Sequence, residues 1–251
     1  MANFQQYSNY YDLLYKDKNY KEESDYVISK INFFSDNAKT ILELGSGSGS
    51  HAKYFCEKGF EVTGIERSQE MVALSLQKEI NNFKPLVGDI STIQLFQTFD
   101  VAMSLFHVVS YLKDNQSLIE CFNKVNNHLN PNGVFIFDVW YSPAVYFQQP
   151  ETRIKRLENH EIEVIRIAES EMVTTENLVN VNFEVIIKNK KNSQTQNLNE
   201  LHPMRHFSIP EIELLAKITN FDVVHIEEFL TQKKPSENTW GVCFILRKSK
   251  F

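Results

Sequence analysis

"ILELGSGSGSHAKYF", running from Ile41 to Phe55, decides how this chain is read. An apolar run ends at Leu44, glycines alternate at Gly45, Gly47 and Gly49, and a helix-like stretch follows. Glycines there let the backbone approach a ligand and take conformations that a side chain forbids. The helix that begins next offers N–H groups with no partner in its own first turn. The dinucleotide fingerprint G-x-G-x-x-G asks for its third glycine one residue later, where Ser50 stands. Two acids narrow the choice. Glu66 closes the next apolar run, about twenty positions beyond the first glycine, where a carboxylate accepts both hydroxyls of a ribose. Glu43 stands just before the turn; it repels a pyrophosphate and attracts the ammonium of an amino acid.

A nucleoside carrying an amino acid and no phosphate satisfies both acids, and S-adenosylmethionine (SAM) is such a molecule. A nicotinamide dinucleotide is the competing ligand, and the glycine spacing separates the two.

Outward from the turn, strands and helices alternate. Strands are predicted over 40–44, 61–65, 84–87, 99–105 and 134–139, and helices over 9–17, 21–35, 50–58, 68–80 and 115–129. Gly59 stops one helix, Ser68 caps the next, and "NPNG" at 130–133 reads as a turn. This alternation predicts a doubly wound parallel sheet. From Glu151 to His206 the helical period disappears. Val179, Val181, Phe183, Val185 and Ile187 alternate with polar residues, and Ile162 and Val164 begin a similar run. That pattern predicts an inserted antiparallel sheet. A helix over 210–219 and strands over 222–229 and 242–247 close the chain. The expected organisation is a helical lid over 1–38, a core of 39–145 and 207–251, and an antiparallel cap over 146–206.

The 251 residues carry a formal net charge of -6, which argues against a nucleic-acid partner held through phosphates. Cys56, Cys121 and Cys243 are scattered, with neither disulfide nor metal-ligand spacing. No apolar run reaches membrane-spanning length, and the polar, aromatic N-terminus is unlike a signal peptide. A cytoplasmic monomer or homodimer acting without a membrane, a nucleic acid or a metal is expected.

"ELGSGSG", then "GIERSQEM", then "VGDI", resembles the class I SAM-dependent methyltransferases over roughly residues 40–140. The resemblance implies their Rossmann-like α/β fold, a seven-stranded mostly parallel sheet, with SAM as cofactor and S-adenosylhomocysteine (SAH) as product. It implies that Glu43, Gly45, Ser46 and Gly47 back the methionine portion, with Gly49 and His51 completing the turn. Glu66 would hold the ribose, Arg67 and Met71 would flank the adenine, and Asp89 and Ile90 would meet its edge. Ser104, Leu105 and Phe106 would line the site after strand four.

"YYDLLYKDKNYKEESDYV" and "SLFHVVSYLKD" are similar to sugar N-methyltransferases, in particular the N,N-dimethyltransferases of nucleotide-linked amino sugars. On that likeness Tyr11, Tyr15 and Tyr20 belong to a lid, with Tyr11 and Tyr20 on the cofactor and Tyr15 toward the acceptor. Tyr111 faces the substrate. This chain departs from the group at His107, which stands where they have serine, and near the last strand, where it has Trp240. Arg153, Arg156 and Arg205 are the candidates to hold an acceptor phosphate, and Trp240 to wall its pocket. A small-molecule acceptor is expected because "SLFHVVSYL" lacks the D/N-P-P-Y/F of enzymes that methylate bases and glutamine amides. An amine acceptor must be neutral when it attacks; His107 is the candidate base, with Tyr11 and Tyr111 beside it. Methylation of another metabolite, on N or O, and a SAM-binding protein without catalysis are the alternatives.

Overall fold

The computed structural model describes residues 13–250, so the first part of the helix expected over 9–17 lies outside them; of the rest, residues 13–14 are helical and a turn follows at 15–17. The chain continues as α1 (Tyr20–Phe34), β1 (Thr40–Leu44), α2 (Ser50–Glu57), β2 (Glu61–Glu66), α3 (Gln69–Gln77) and β3 (Phe83–Val87). Then come β4 (Phe99–Ser104), a 3-10 turn (Val108–Tyr111), α4 (Asn115–His128), β5 (Leu129–Tyr141) and α5 (Ser142–Gln148). Four strands follow, β6 (Arg153–Glu158), β7 (Ile162–Val173), β8 (Leu178–Asn189) and β9 (Thr195–Phe207). The chain closes with α6 (Ile209–Ile218), β10 (Phe221–Glu228) and β11 (Gly241–Lys248).

The core sheet has the order β3-β2-β1-β4-β5, all parallel. β11 then runs antiparallel along β5, and β10 antiparallel to β11. This is the Rossmann-like, mostly parallel α/β sheet with added antiparallel strands. Successive side chains of a strand point to opposite faces. Leu42, Ala102, Phe135, Phe137 and Phe244 therefore pack on one side, against Leu118 and Phe122 of α4 and Ile212 and Leu215 of α6. Ile41, Val101, Met103, Ile136 and Ile245 pack on the other, against Val27 and Ile31 of α1 and Ala52 and Phe55 of α2. Each fully buried Phe, Leu or Ile contributes roughly 1.5–3 kcal/mol.

The "NPNG" stretch is absorbed into β5. Phe99 pairs with Leu129 and Val101 with Val134, so the extra residues of β5 loop out beside β4, with Asn132 at φ 64°. α5, which alternation did not reveal, starts on Ser142 and Pro143 and turns the chain toward the antiparallel strands. β6 to β9 form a meander, β7 and β8 paired over their full lengths. Its last residues, His206 and Phe207, pair in parallel with Trp140 and Tyr141 at the end of β5. The meander is thereby hooked onto the carboxyl end of the core sheet. Its inner face buries Val164, Val185 and Ile187 against Leu13 and Leu14. No helix among the described residues is long and apolar enough to cross a membrane.

Candidate active site

The glycine turn takes the conformation its residues permit. Gly45, Gly47 and Gly49 have φ of 72°, 53° and 76°, the left-handed region. At Gly45 a Cβ would come within 2.5 Å of Cγ2 of Val108, and at Gly49 within 2.7 Å of Cε1 of Phe83. The amides of Gly45 and Ser46 both donate to the carbonyl of Ile65, at 2.8 and 3.1 Å, which ties the turn to β2. Gly49 caps α2 without a capping side chain, so the start of that helix faces the turn unblocked.

Glu43 is the unusual group here. It is 2% exposed at the end of β1, and its Oε2 has no hydrogen-bond partner among the described residues. Burial, reinforced by the charge of Glu66, pushes its carboxyl up to about 8. Its other oxygen lies 4.0 Å from Nδ1 of His51. The far nitrogen of His51 is 2.7 Å from Glu23, and Lys18 donates to the same carboxylate at 2.7 Å. Burial raises Glu23, but its hydrogen bonds to His51 and Lys18 prevail and hold it below the usual carboxylate range. Tyr20 meets the His51 ring edge-on at 4.9 Å. Sequence reasoning missed Lys18, whose ammonium lies 3.9 Å from the centre of the Phe106 ring. A buried carboxylate without a partner at the mouth of β1 fits a cationic ligand group and opposes a pyrophosphate.

The ends of β2 and β3 supply the adjoining wall. Glu66 accepts from the amide of Gly47 at 3.0 Å and from that of Ser68 at 2.8 Å. Those bonds fix the carboxylate and leave it lone pairs for two further donors. Met71 approaches Gly47, its Cε lying 3.6 Å from where a Cβ would stand. Asp89 accepts from the hydroxyl of Ser91 at 2.6 Å, and that bond, helped by Arg67, holds it below its ordinary range against partial burial. The amide of Gly88 donates to the carbonyl of Glu66 at 3.0 Å, bringing Asp89 and Ile90 beside the end of β2.

After β4 the backbone is strained. Phe106 and His107 follow each other at φ 65° and 59°, a conformation that costs about 1–3 kcal/mol for each such residue. The strain turns Phe106 outward, 37% exposed, and sets His107 against β5. His107 Nδ1 stands 2.7 Å from Oδ2 of Asp138. The backbone N–H of His107 donates to the other oxygen at 3.3 Å. Asp138 is 1% exposed; burial raises it, but the contacts with His107 outweigh that and hold it below its usual range. Asp138 was not foreseen. The available signal was a lone acid in the apolar run "VFIFDV". Trp140, also unforeseen, meets the His107 ring at 6.2 Å.

The meander closes over this mouth. Tyr15 packs edge-on to Phe106 at 5.3 Å, and Tyr111 shares a 2.7 Å hydrogen bond with Nδ1 of His202 on β9. His202 in turn meets Glu200 at 3.1 Å and the ring of Phe183 at 4.8 Å. His206, by contrast, is buried, lowered to about 4 first by burial and then by Arg205, and bonded to Ser142 at 2.8 Å.

The remaining expected site residues fall in different places. Tyr11 lies outside the described residues. Ser104 and Leu105 are buried; Ser104 ties β4 to the carbonyl of Leu44 at 3.4 Å, and Leu105 points into the core with Ile41 and Phe55. Only Phe106 of that trio is exposed, because strand alternation puts Leu105 on the helix-covered face. Arg153 and Arg156 are exposed on β6, the outermost strand. Arg205 is buried and committed: it donates to Glu211 at 2.6 Å, to Asn115 at 2.8 Å and to the carbonyl of Lys113 at 3.3 Å. It fastens α4 to α6. Trp240 donates to Gln148 and packs on Trp140, which stands between it and His107.

The family of methyltransferase domains matches residues 41–133. A Bacillus subtilis (strain 168) protein named as a methyltransferase, YqeM, is 28% identical over 214 residues, covering 84% of either chain. The dTDP-3-amino-3,4,6-trideoxy-alpha-D-glucopyranose N,N-dimethyltransferase of Streptomyces venezuelae is 25% identical over 142 residues, 56% of this chain and 60% of that one. In fold, the chain matches SAM-bound CalS10, an amino pentose methyltransferase from Micromonospora echinaspora, with a TM-score of 0.77 at 18% identity over 99% of both chains. The glycine turn with its two acids, the sheet order and these likenesses give the chain a methyltransferase domain over residues 41–133 within the fold of the class I SAM-dependent methyltransferases, resembling the amino-sugar N-methyltransferases.

Proposed function

We propose that this enzyme methylates an amine on a small molecule, an amino sugar, in the mouth between the glycine turn and the meander. The observation that carries the reading is His107 held against buried Asp138 beside the aromatic residues that follow β4. Glu43 takes the cofactor's ammonium, Glu66 its ribose hydroxyls, and Asp89 the adenine edge. When bound, SAM supplies a methyl group already activated on a positive sulfur.

The residues then have three tasks. Phe106, Tyr15 and Tyr111 exclude water and face the cationic centre with aromatic rings, which attract it without binding it covalently. The cap would hold the acceptor with its nitrogen toward the cofactor's methyl group. His107 would take the proton that the nitrogen sheds on methylation, the C–S pair going to sulfur as the N–C bond forms. Asp138 holds the imidazole through Nδ1, which leaves Nε2 to receive that proton. The likeness to amino-sugar N,N-dimethyltransferases supports the choice of acceptor. Incubation with SAM and a set of amino sugars, free and dTDP-linked, tests it by mass spectrometry. SAH formed together with an acceptor one or two methyl groups heavier is the expected result. SAH binding without turnover on any amine would overturn the assignment.

A further inference from the structure

The inner face of the meander carries a cation that no role has yet absorbed. Arg166 on β7 lies over the Phe183 ring of β8, 4.7 Å from its centre. Its Nε is buried and has no hydrogen-bond partner among the described residues. None of the ion pairs among the described residues joins Arg166 to a carboxylate. The strand register brings Glu200 opposite Phe183, yet Glu200 turns to His202 instead. Three lysines of the meander are committed: Lys188 to Glu163, Lys190 to Glu158 and Lys155 to the carbonyl of Leu14.

The position of Arg166 gives it meaning. Side chains run in an unbroken circuit around the mouth: Phe106 touches Tyr15, whose hydroxyl lies within hydrogen-bonding reach of Arg166. Arg166 touches Phe183, Phe183 touches His202, and His202 touches Tyr111, on the turn just after His107. A half-buried guanidinium without a carboxylate is costly unless an anion arrives to pair with it. Planar and presenting parallel donors, it suits phosphate or carboxylate oxygens two at a time.

We propose that Arg166 is the acceptor's anion-binding residue, so that the natural acceptor carries an anionic group, phosphate or carboxylate, in the same molecule as its amine. This rests on the reading that the acceptor lies between the cap and the glycine turn, and it replaces Arg205 as the handle. The test is calorimetry on SAH-loaded protein with three probes: dTDP, inorganic pyrophosphate and glycine. Binding of dTDP or pyrophosphate identifies a phosphate group, and binding of glycine a carboxylate. Arg166→Met should weaken that probe at least tenfold while SAH affinity and melting temperature stay unchanged; Arg166→Lys should keep part of it, and Arg153→Met all of it. The proposal is overturned if wild type binds SAH but no probe, or if Arg166→Met binds the probe as wild type does. Failure of wild type to bind SAH would instead remove the underlying reading, and this proposal with it.

Discussion

Replacing Glu43 by glutamine keeps the shape of the side chain and removes its charge. In the folded, ligand-free protein the carboxyl is pushed from an ordinary 4.5 up to about 8, first by burial and then by Glu66. Folding therefore favours its protonated form. Stability is fully present below about pH 4.5, falls as the pH rises, and levels off above about pH 8. The whole change amounts to roughly 5 kcal/mol, and about 3 kcal/mol of it is in place by pH 7. Glu43→Gln lacks this loss. It should match wild type near pH 5 and exceed it by several kcal/mol near pH 8.5, less about 1–3 kcal/mol for a buried amide without partners. Urea unfolding of both proteins at about pH 5, 7 and 8.5 measures the difference directly, since other titrating groups cancel between them. Function should move the opposite way. SAH affinity should fall at least tenfold in the variant, whereas methylthioadenosine, which lacks the amino acid, should bind both proteins alike. Equal pH slopes for the two proteins, or equal loss of both ligands, would refute the reasoning.

His107→Phe should reduce turnover at least tenfold with little change in SAM affinity, and Asp138→Asn should lower kcat in the same sense; a rate equal to wild type in either would remove the pair from the chemistry. Gly45→Ala puts a methyl 2.5 Å from Val108 at φ 72°, so a loss of about 1–3 kcal/mol in stability and weaker SAH binding are expected. Adding Val108→Ala should relieve the clash but not the backbone strain, so urea unfolding of the double variant should show partial recovery. Arg205→Met breaks a buried ion pair and should cost about 3–5 kcal/mol by the same assay, while the folded fraction keeps its SAH affinity. Lost SAH binding in that variant would return Arg205 to the ligand site.

What could be read without coordinates was whatever a short stretch of backbone settles. The run from Ile41 to Phe55 states its own geometry, because positive φ at alternate positions favours glycine. Periodicity exposed β1 to β5 and β8, since their apolar side chains are sorted by face. It gave no bounds for β9, "TQNLNELHPMRHF", the strand that leads out of the insertion, whose inward residues include Gln196, Glu200 and His202. Those inward polar groups are legible only from their partner Tyr111, which is distant in sequence. Asp138 was hidden for a related reason: it is a lone acid in an apolar strand, and its partner His107 belongs to another strand's end. The surroundings of Arg205 were hidden because its partners come from two different helices, Asn115 as a hydrogen-bond acceptor and Glu211 as the opposite charge.

The most direct test is a crystal structure of the protein with SAH. The amino nitrogen should lie within hydrogen-bond distance of the Glu43 carboxylate, with both ribose hydroxyls on Glu66 and the sulfur facing His107 across Phe106. A complex in which Glu43 remains alone, or the ribose lies away from Glu66, would contradict it.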